Sequence, residues 1–178
     1  CHNALKRALH EFNKTNPSEI LNKTRELVIN ELSIDEDALA DGMDISLCSF
    51  DKNTNKMNWA GANNPLWIYR KLSNSLEEIK PDKQPIGNHQ DPTPFNDHEV
   101  ELNMGDRIFF FSDGYQDQFG GPKQKKMMRK GFRKAILDSA ELTMQGQNRF
   151  LMKVFKDWQA DEEQVDDVCV IGIEIKSN

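Results

Sequence analysis

The chain has 178 residues, a net charge of -6, 37% hydrophobic and 29% charged residues, and a mean hydropathy of -0.73. This length and polarity predict one globular domain over residues 1–178. The negative charge argues against nucleic acid as the main partner, and no stretch approaches the roughly 18 apolar residues of a membrane span. We therefore expect no nucleic-acid partner and no membrane contact by this chain.

The cysteines are odd in number and lack metal-type spacing. Cys48 and Cys169 lie in apolar, strand-like runs, and Cys1 is the first residue. This usage is typical of reduced core thiols in a cytoplasmic protein.

The hydrophobic pattern predicts helices first and then a series of strands. Helical spacing indicates helices over 2–12 and 17–32, and a two-residue alternation from Met43 indicates a strand ending at Asp51. A returning strand follows, which breaks at 61–65 and resumes. The remaining predicted elements are strands near 76–79, 98–102 and 107–112, a helix after the turn at 119–122, a helix over 146–158, and a strand over 168–175 buried on both faces. This order predicts an α+β fold.

Two carboxylate pairs lie at the ends of predicted strands. Asp113 and Gly114 follow an apolar strand, and glycine permits a sharp turn that exposes the carboxylate. Taken alone, this pair is more simply explained by an ordinary Asp-Gly turn. Asp166 and Asp167 precede the last strand, where carboxylates can converge on a hard divalent cation. The alternative for this second pair is a solvated acidic loop.

Four ordered motifs together resemble a known family. The segments "WAGANNPLWI", "KQPIG", "FFFSDGYQDQFGG" and "QVDDVCVIGI" resemble the SpoIIE/RsbU-like branch of the PPM-type bacterial serine/threonine phosphatases, from Asp41 onward. The resemblance implies a β-sandwich flanked by helices in α-β-β-α layers. It also implies a two-metal site with Mn²⁺ or Mg²⁺, in which the cations clamp the phosphate and lower the pKa of a bridging water.

The resemblance also assigns roles to residues. Asp113 and Asp166 would be the catalytic metal ligands, and Gly114 and Asp167 would support them without binding the metal. The substrate would be a phosphorylated signalling protein, with an anti-sigma-factor antagonist as the expected one. A sensor or interaction module is expected before this region in the parent chain.

One family motif has no counterpart here. Family members carry an upstream Asp-Gly box with a Gly-His-Gly stretch that supplies another metal carboxylate, and this chain is expected to start just after it. The domain would then be N-terminally truncated. The alternative function is a regulatory or protein-binding domain of the same fold that is catalytically incomplete.

Two further polar features have open interpretations. Asn63 and Asn64 interrupt a predicted strand, and they are candidates for substrate contacts or for a structural turn. A basic run lies between Lys123 and Lys134 in an otherwise acidic chain. It is either a solvated helix face or a docking surface for an acidic or phosphorylated partner.

Overall fold

A computed structural model describes residues 2–32, 42–51, 54 and 56–176. Within these residues there are five helices and nine strands. The helices are α1 (His2–His10), α2 (Pro17–Leu32), α3 (Gly114–Asp117), α4 (Met128–Asp138) and α5 (Met144–Gln159). The strands are β1 (Ile45–Asp51), β2 (Lys56–Ala62), β3 (Leu66–Arg70), β4 (Ser75–Ile79), β5 (His98–Glu101), β6 (Arg107–Phe111), β7 (Phe119–Gly120), β8 (Lys125–Lys126) and β9 (Val170–Glu174).

The chain forms two compact units, and the first comprises Cys1–Leu66 and Ile79–Leu102. Its antiparallel sheet has the order β1-β2-β5, with Trp59 of β2 opposite Cys48 on one side and His98 on the other. The apolar face of α2, which includes Leu21 and Val28, is buried in the core of this unit. Burial of this helical stripe stabilises the helix more than its intrinsic propensity does.

The second unit comprises Trp67–Glu78 and Asn103–Asn178. Its sheet has the order β4-β3-β6-β9, and β6 pairs antiparallel with both neighbours. An aromatic cluster joins the sheet to the helices: Trp67 and Phe111 have ring centroids 4.4 Å apart, and Tyr115 stacks on Phe132 at 4.3 Å. Such pairs add to the free energy gained by burial alone, so this core holds the strand ends of the unit in fixed positions.

The α+β prediction is confirmed, since antiparallel sheets and helices make up the described residues. The helix predicted over 17–32 has those bounds. The returning strand was expected to be one interrupted arm, but β2 and β3 belong to different sheets. Short α3 and the hairpin of β7 and β8 were not predicted.

Two predictions of burial are wrong. The last strand is not buried on both faces, because Ile171 is 51% and Ile173 45% exposed. Val170 packs against the core on its other face. Cys169 is exposed and is therefore no core thiol, whereas Cys48 is half-buried and burial raises the pKa of its thiol. Cys1 lies outside the described residues.

Candidate functional site

Strand β6 positions Asp113. The strand is apolar and mostly buried, and Asp113 follows it as the N-terminal cap of α3. Its backbone oxygen accepts hydrogen bonds from the amides of Gln116 and Asp117, at 3.0 and 2.9 Å. Its side chain makes no capping hydrogen bond, although an aspartate at this position commonly does. The backbone therefore forms the turn, and the carboxylate is available for another partner.

Asp166 and Asp167 lie in the loop between α5 and β9. The side-chain nitrogen of Gln164 donates to the backbone oxygen of Asp166 at 2.8 Å. The amide of Asp167 donates to Oδ1 of Asp166 at 2.7 Å. Local bonds of this kind fix a loop without regular structure, so the direction of the Asp166 side chain is set by its own neighbours.

Ser112 joins the two aspartate loops. Its hydroxyl donates to the backbone oxygen of Asp167 at 2.7 Å, 55 residues away in the sequence. The Oγ atom of Ser112 also accepts from the amide of Cys169 at 2.9 Å, and the Ser112 amide donates to the Cys169 carbonyl at 3.0 Å. Both capacities of one hydroxyl, donor and acceptor, are thus used. Sequence reasoning missed this role, although a hydroxyl residue directly before the Asp-Gly turn was visible.

Gly114 allows the two loops to approach this closely. A Cβ atom at this position would lie 2.4 Å from the backbone oxygen of Asp167 and 3.3 Å from the carbonyl carbon of Asp166. Backbone atoms cannot rotate away as a flexible side chain can, so any larger residue must separate the loops. The glycine predicted to permit a turn is therefore also required by the packing of one loop on the other.

The electrostatics of Asp113 reflect its neighbours. The residue as a whole is exposed, but surrounding atoms partly desolvate its carboxyl group, and this desolvation is the main cause of a raised pKa. The negative charge of Asp166 is the second cause, and the negative charge of Asp117 adds to it. Like charges held together favour the protonated form of one of them. The structure thus brings Asp113 and Asp166 together as a carboxylate pair.

This pair has the donor chemistry of a divalent-metal site. In the described part of the chain, neither Asp113 nor Asp166 forms an ion pair with a lysine, arginine or histidine. Oxygen donors with uncompensated negative charge suit Mg²⁺ and Mn²⁺. Over the same described residues, however, no group of three or more histidine, cysteine or acidic side chains is arranged to hold a metal. The residues that the structure describes therefore supply two carboxylate ligands to a divalent-metal site.

Asn63 and Asn64 lie in the first unit, directly after β2. Asn63 has a left-handed backbone conformation with φ of 55°. Its side-chain nitrogen donates to Oδ1 of Asp44 at 2.9 Å, and its amide donates to the backbone oxygen of Asp82 at 2.9 Å. Asparagine tolerates this conformation better than most residues. Asn63 therefore has a structural role in this turn, and its contact with a substrate remains a prediction, as does that of Asn64.

A separate cavity of about 600 Å³ lies between α5 and β9 in the second unit. Its lining is mainly apolar and includes Met144, Leu151, Phe155 and Val170, together with the cationic side chain of Lys156. Neither Asp113 nor Asp166 lines it. A lining of this composition does not suit a doubly charged phosphate group.

Known structures share this fold. The SiaA-PP2C domain of Pseudomonas aeruginosa matches with a TM-score of 0.86 at 23% identity, over 98% of this chain and 67% of that chain. The phosphatase domain of SpoIIE from Bacillus subtilis, in a structure presoaked with Mn, has a TM-score of 0.60 at 16% identity, over 99% and 74%. The RsbU and RsbW domains of a Mycobacterium tuberculosis protein give 0.71 at 16% identity, over 98% and 48%. The fold is thus that of the PP2C/PPM phosphatases.

The family follows from the sequence. The family model for stage II sporulation protein E (SpoIIE) matches residues 2–176, and the chain belongs to this family. The match extends across both compact units. A comparison with curated protein sequences found no match. None of the helices in the described ranges has the length and apolarity needed to cross a membrane.

Proposed function

We propose that this chain carries part of the active site of a metal-dependent phosphatase that hydrolyses phosphoserine or phosphothreonine on a signalling protein. The observation that carries the proposal is the joining of two distant loops by Ser112, which holds Asp113 beside Asp166. Two carboxylates held together without a protein cation are unfavourable unless a ligand compensates their charge. A divalent cation is the natural ligand for such a pair.

The proposed metal ligands are Asp113 and Asp166, and the metal is Mn²⁺ or Mg²⁺. When bound, the metal supplies positive charge against the phosphate oxygens and acidifies water. The chain's own residues prepare the site beforehand. Ser112 fixes the distance between the loops, Gly114 permits their contact, and the amide of Asp167 orients the Asp166 carboxylate. Orientation of ligands by neighbouring groups is a general requirement of metal sites.

The proposed substrate is a phosphoprotein, with an anti-sigma-factor antagonist as the specific candidate. Membership of the SpoIIE family and the likeness to RsbU and RsbW domains support this choice. Asn63 and Asn64 are proposed to contact the substrate. We further propose a cytoplasmic location, and a sensor or interaction module before this region in the parent protein.

The test is Mn²⁺-dependent hydrolysis of a phosphoserine peptide and of an aryl phosphate by the full-length protein. Asp113→Asn keeps the shape of the side chain and removes its charge. Asp161→Asn makes the same change in the exposed acidic loop before Asp166 and serves as the matched control. We expect a loss of activity of at least about 100-fold in Asp113→Asn and none in the control. Equal activity in the two variants would refute the assignment.

A second candidate function is supported by the small number of ligands. Because the described residues contain no cluster of three or more metal-binding side chains, a regulatory or protein-binding domain is the alternative to an enzyme. Such a domain would bind a phosphopeptide without turning it over. Binding in the presence of Mn²⁺ with no release of phosphate by the full-length protein would favour this alternative.

A further inference from the structure

The segment 119–134 has an unusual charge for this protein. It contains seven of the chain's 23 lysine and arginine residues and no acidic residue, whereas the whole chain has a net charge of -6. In the structure this segment forms the β7–β8 hairpin and the first part of α4, within the second unit. Such a separation of charge produces a local positive potential on an acidic molecule.

Four of the seven cations are used within the unit. Lys126 pairs with Asp117 at 2.8 Å. Arg129 and Arg133 both pair with Glu78, at 3.2 and 3.5 Å, and Lys134 pairs with Asp138. These four cations are therefore already paired, and exposed pairs of this kind contribute little to stability.

The other three cations are Lys123, Lys125 and Lys130. All three are exposed, and none has an ion-pair partner among the residues that the structure describes. Two large apolar side chains lie in the same segment. Met128 is 59% and Phe119 40% exposed. A segment that exposes both lysines and apolar side chains has the composition of a protein interface with a polar rim.

The backbone of this segment is held firmly. Met128 has a φ of 64°, which is rare for a residue other than glycine and persists only where the surroundings enforce it. The amide of Gly121 donates to the carbonyl of Trp158 at 2.8 Å, and the indole nitrogen of Trp158 donates to the Gln118 carbonyl at 3.0 Å. The hairpin is therefore anchored to the end of α5.

The segment is also close to the candidate metal ligand. Only the four residues of α3 and Gln118 separate Asp113 from Phe119. The chain between these two residues can therefore span at most about 20 Å. A standard protein interface buries about 800 Å² on each partner. A protein bound through this segment can therefore reach Asp113 with a phosphorylated residue.

We propose that the exposed residues Lys123, Lys125, Met128 and Lys130 form a docking surface for an acidic patch on the phosphoprotein substrate. This proposal rests on the proposed phosphatase function and specifies how its substrate is recognised. Three free lysines are too few for a nucleic-acid backbone, where about six to ten phosphate contacts are common. A polybasic membrane-binding segment has about four to eight basic residues. An acidic protein surface suits the mixture of charge and apolar area better.

The experiment compares two triple charge reversals in the full-length protein. The first, Lys123→Glu, Lys125→Glu and Lys130→Glu, changes the docking surface. The second, Lys6→Glu, Lys80→Glu and Lys83→Glu, makes the same change in net charge at exposed positions of the first unit. The probe is a fluorescent peptide rich in Asp and Glu with one phosphoserine, and its binding is measured by fluorescence anisotropy at rising salt concentration.

We expect the first triple variant to raise the Kd of the acidic peptide by at least about tenfold at low salt, and the control by less than about threefold. Replacement of Met128 by Ser should raise the Kd severalfold with an unchanged salt dependence. Equal effects of the two triple variants would overturn the proposal, because they would indicate only net charge. Retained peptide binding, with loss of binding to phosphatidylserine vesicles, would overturn it in favour of a membrane surface.

Hydrolysis of an aryl phosphate separates this proposal from the phosphatase proposal. The aryl phosphate is too small to reach the docking surface, so the first triple variant should hydrolyse it as fast as the wild type does. If the wild type hydrolyses no phosphate ester, the phosphatase proposal fails, whereas peptide binding still tests the surface. Thermal unfolding midpoints within a few degrees of the wild type would show that both variants are folded.

Discussion

Two strand ends in this molecule, one in each unit, are each followed by a polar residue, but they differ in whether its side chain is free to bind a ligand. After β2, Asn63 uses its side chain to bind Asp44, and the turn closes on itself. After β6, Ser112 and Gly114 provide the contacts that hold the turn, and the Asp113 carboxylate takes no part in capping it. A polar residue at a strand end is thus a stronger candidate for chemistry when its neighbours hold the turn.

The largest effect that tests this contrast is expected from Gly114→Ala. The new Cβ would meet backbone atoms of Asp166 and Asp167, so the two loops must separate. We expect a loss of about 1–3 kcal/mol in the free energy of unfolding and a loss of Mn²⁺-induced stabilisation, both measured by thermal unfolding. The control is Gly146→Ala, where the nearest atoms, at 3.2 and 3.3 Å, belong to side chains. If Gly114→Ala kept full Mn²⁺ stabilisation, the close approach would have no role in the site.

The next effect concerns the hydroxyl of Ser112. Ser112→Ala removes a donor to Asp167 and an acceptor for Cys169, which should cost about 1 kcal/mol of stability. We expect Mn²⁺ affinity to fall by about 10- to 100-fold, because the variant loses the group that orients the ligands. Ser112→Thr retains the hydroxyl and should recover most of this affinity in the same calorimetric titration. A threonine variant as weak as the alanine variant would show that the hydroxyl is not the cause.

The smallest effect is expected at the other strand end. Asn63→Gly and Asn63→Ala both lose the bond to Asp44, but only alanine resists a φ of 55°. We expect the alanine variant to be less stable than the glycine variant by about 1 kcal/mol, as measured by urea unfolding. The KM of the Asn63→Gly variant for a phosphopeptide distinguishes a structural role of Asn63 from a substrate contact. If Asn63→Gly leaves KM unchanged, Asn63 only holds the turn, whereas a higher KM supports a substrate contact.

Much of the fold could be predicted because local patterns determine it. The apolar face of α2 specifies a helix with the observed bounds. The strand before Asp113 is apolar and buried, and the glycine after it marks the turn. The family motifs likewise connected Asp113 with Asp166, which periodicity alone could not do, since no local pattern encodes a contact between residues so far apart.

The predictions failed at positions where burial depends on contacts with distant parts of the chain and not on the local sequence pattern. The run around Ile171 and Ile173 is apolar, but these two side chains are 51% and 45% exposed in β9. Met128 lies at an apolar position of the helical pattern, but its side chain is 59% exposed and its φ is 64°. Ser112 was overlooked because a single hydroxyl has no periodic signature, and its role depends on a loop 55 residues away.

The most direct test of the shared site is a double-mutant cycle on metal affinity. Mn²⁺ binding to the full-length protein would be measured by calorimetry for the wild type, Asp113→Asn, Asp166→Asn and the double variant. If both carboxylates bind one metal site, each single variant loses most of the affinity and the double variant loses little more. Additive losses, or an Asp166→Asn variant with wild-type affinity, would contradict the assignment of these two aspartates to one site.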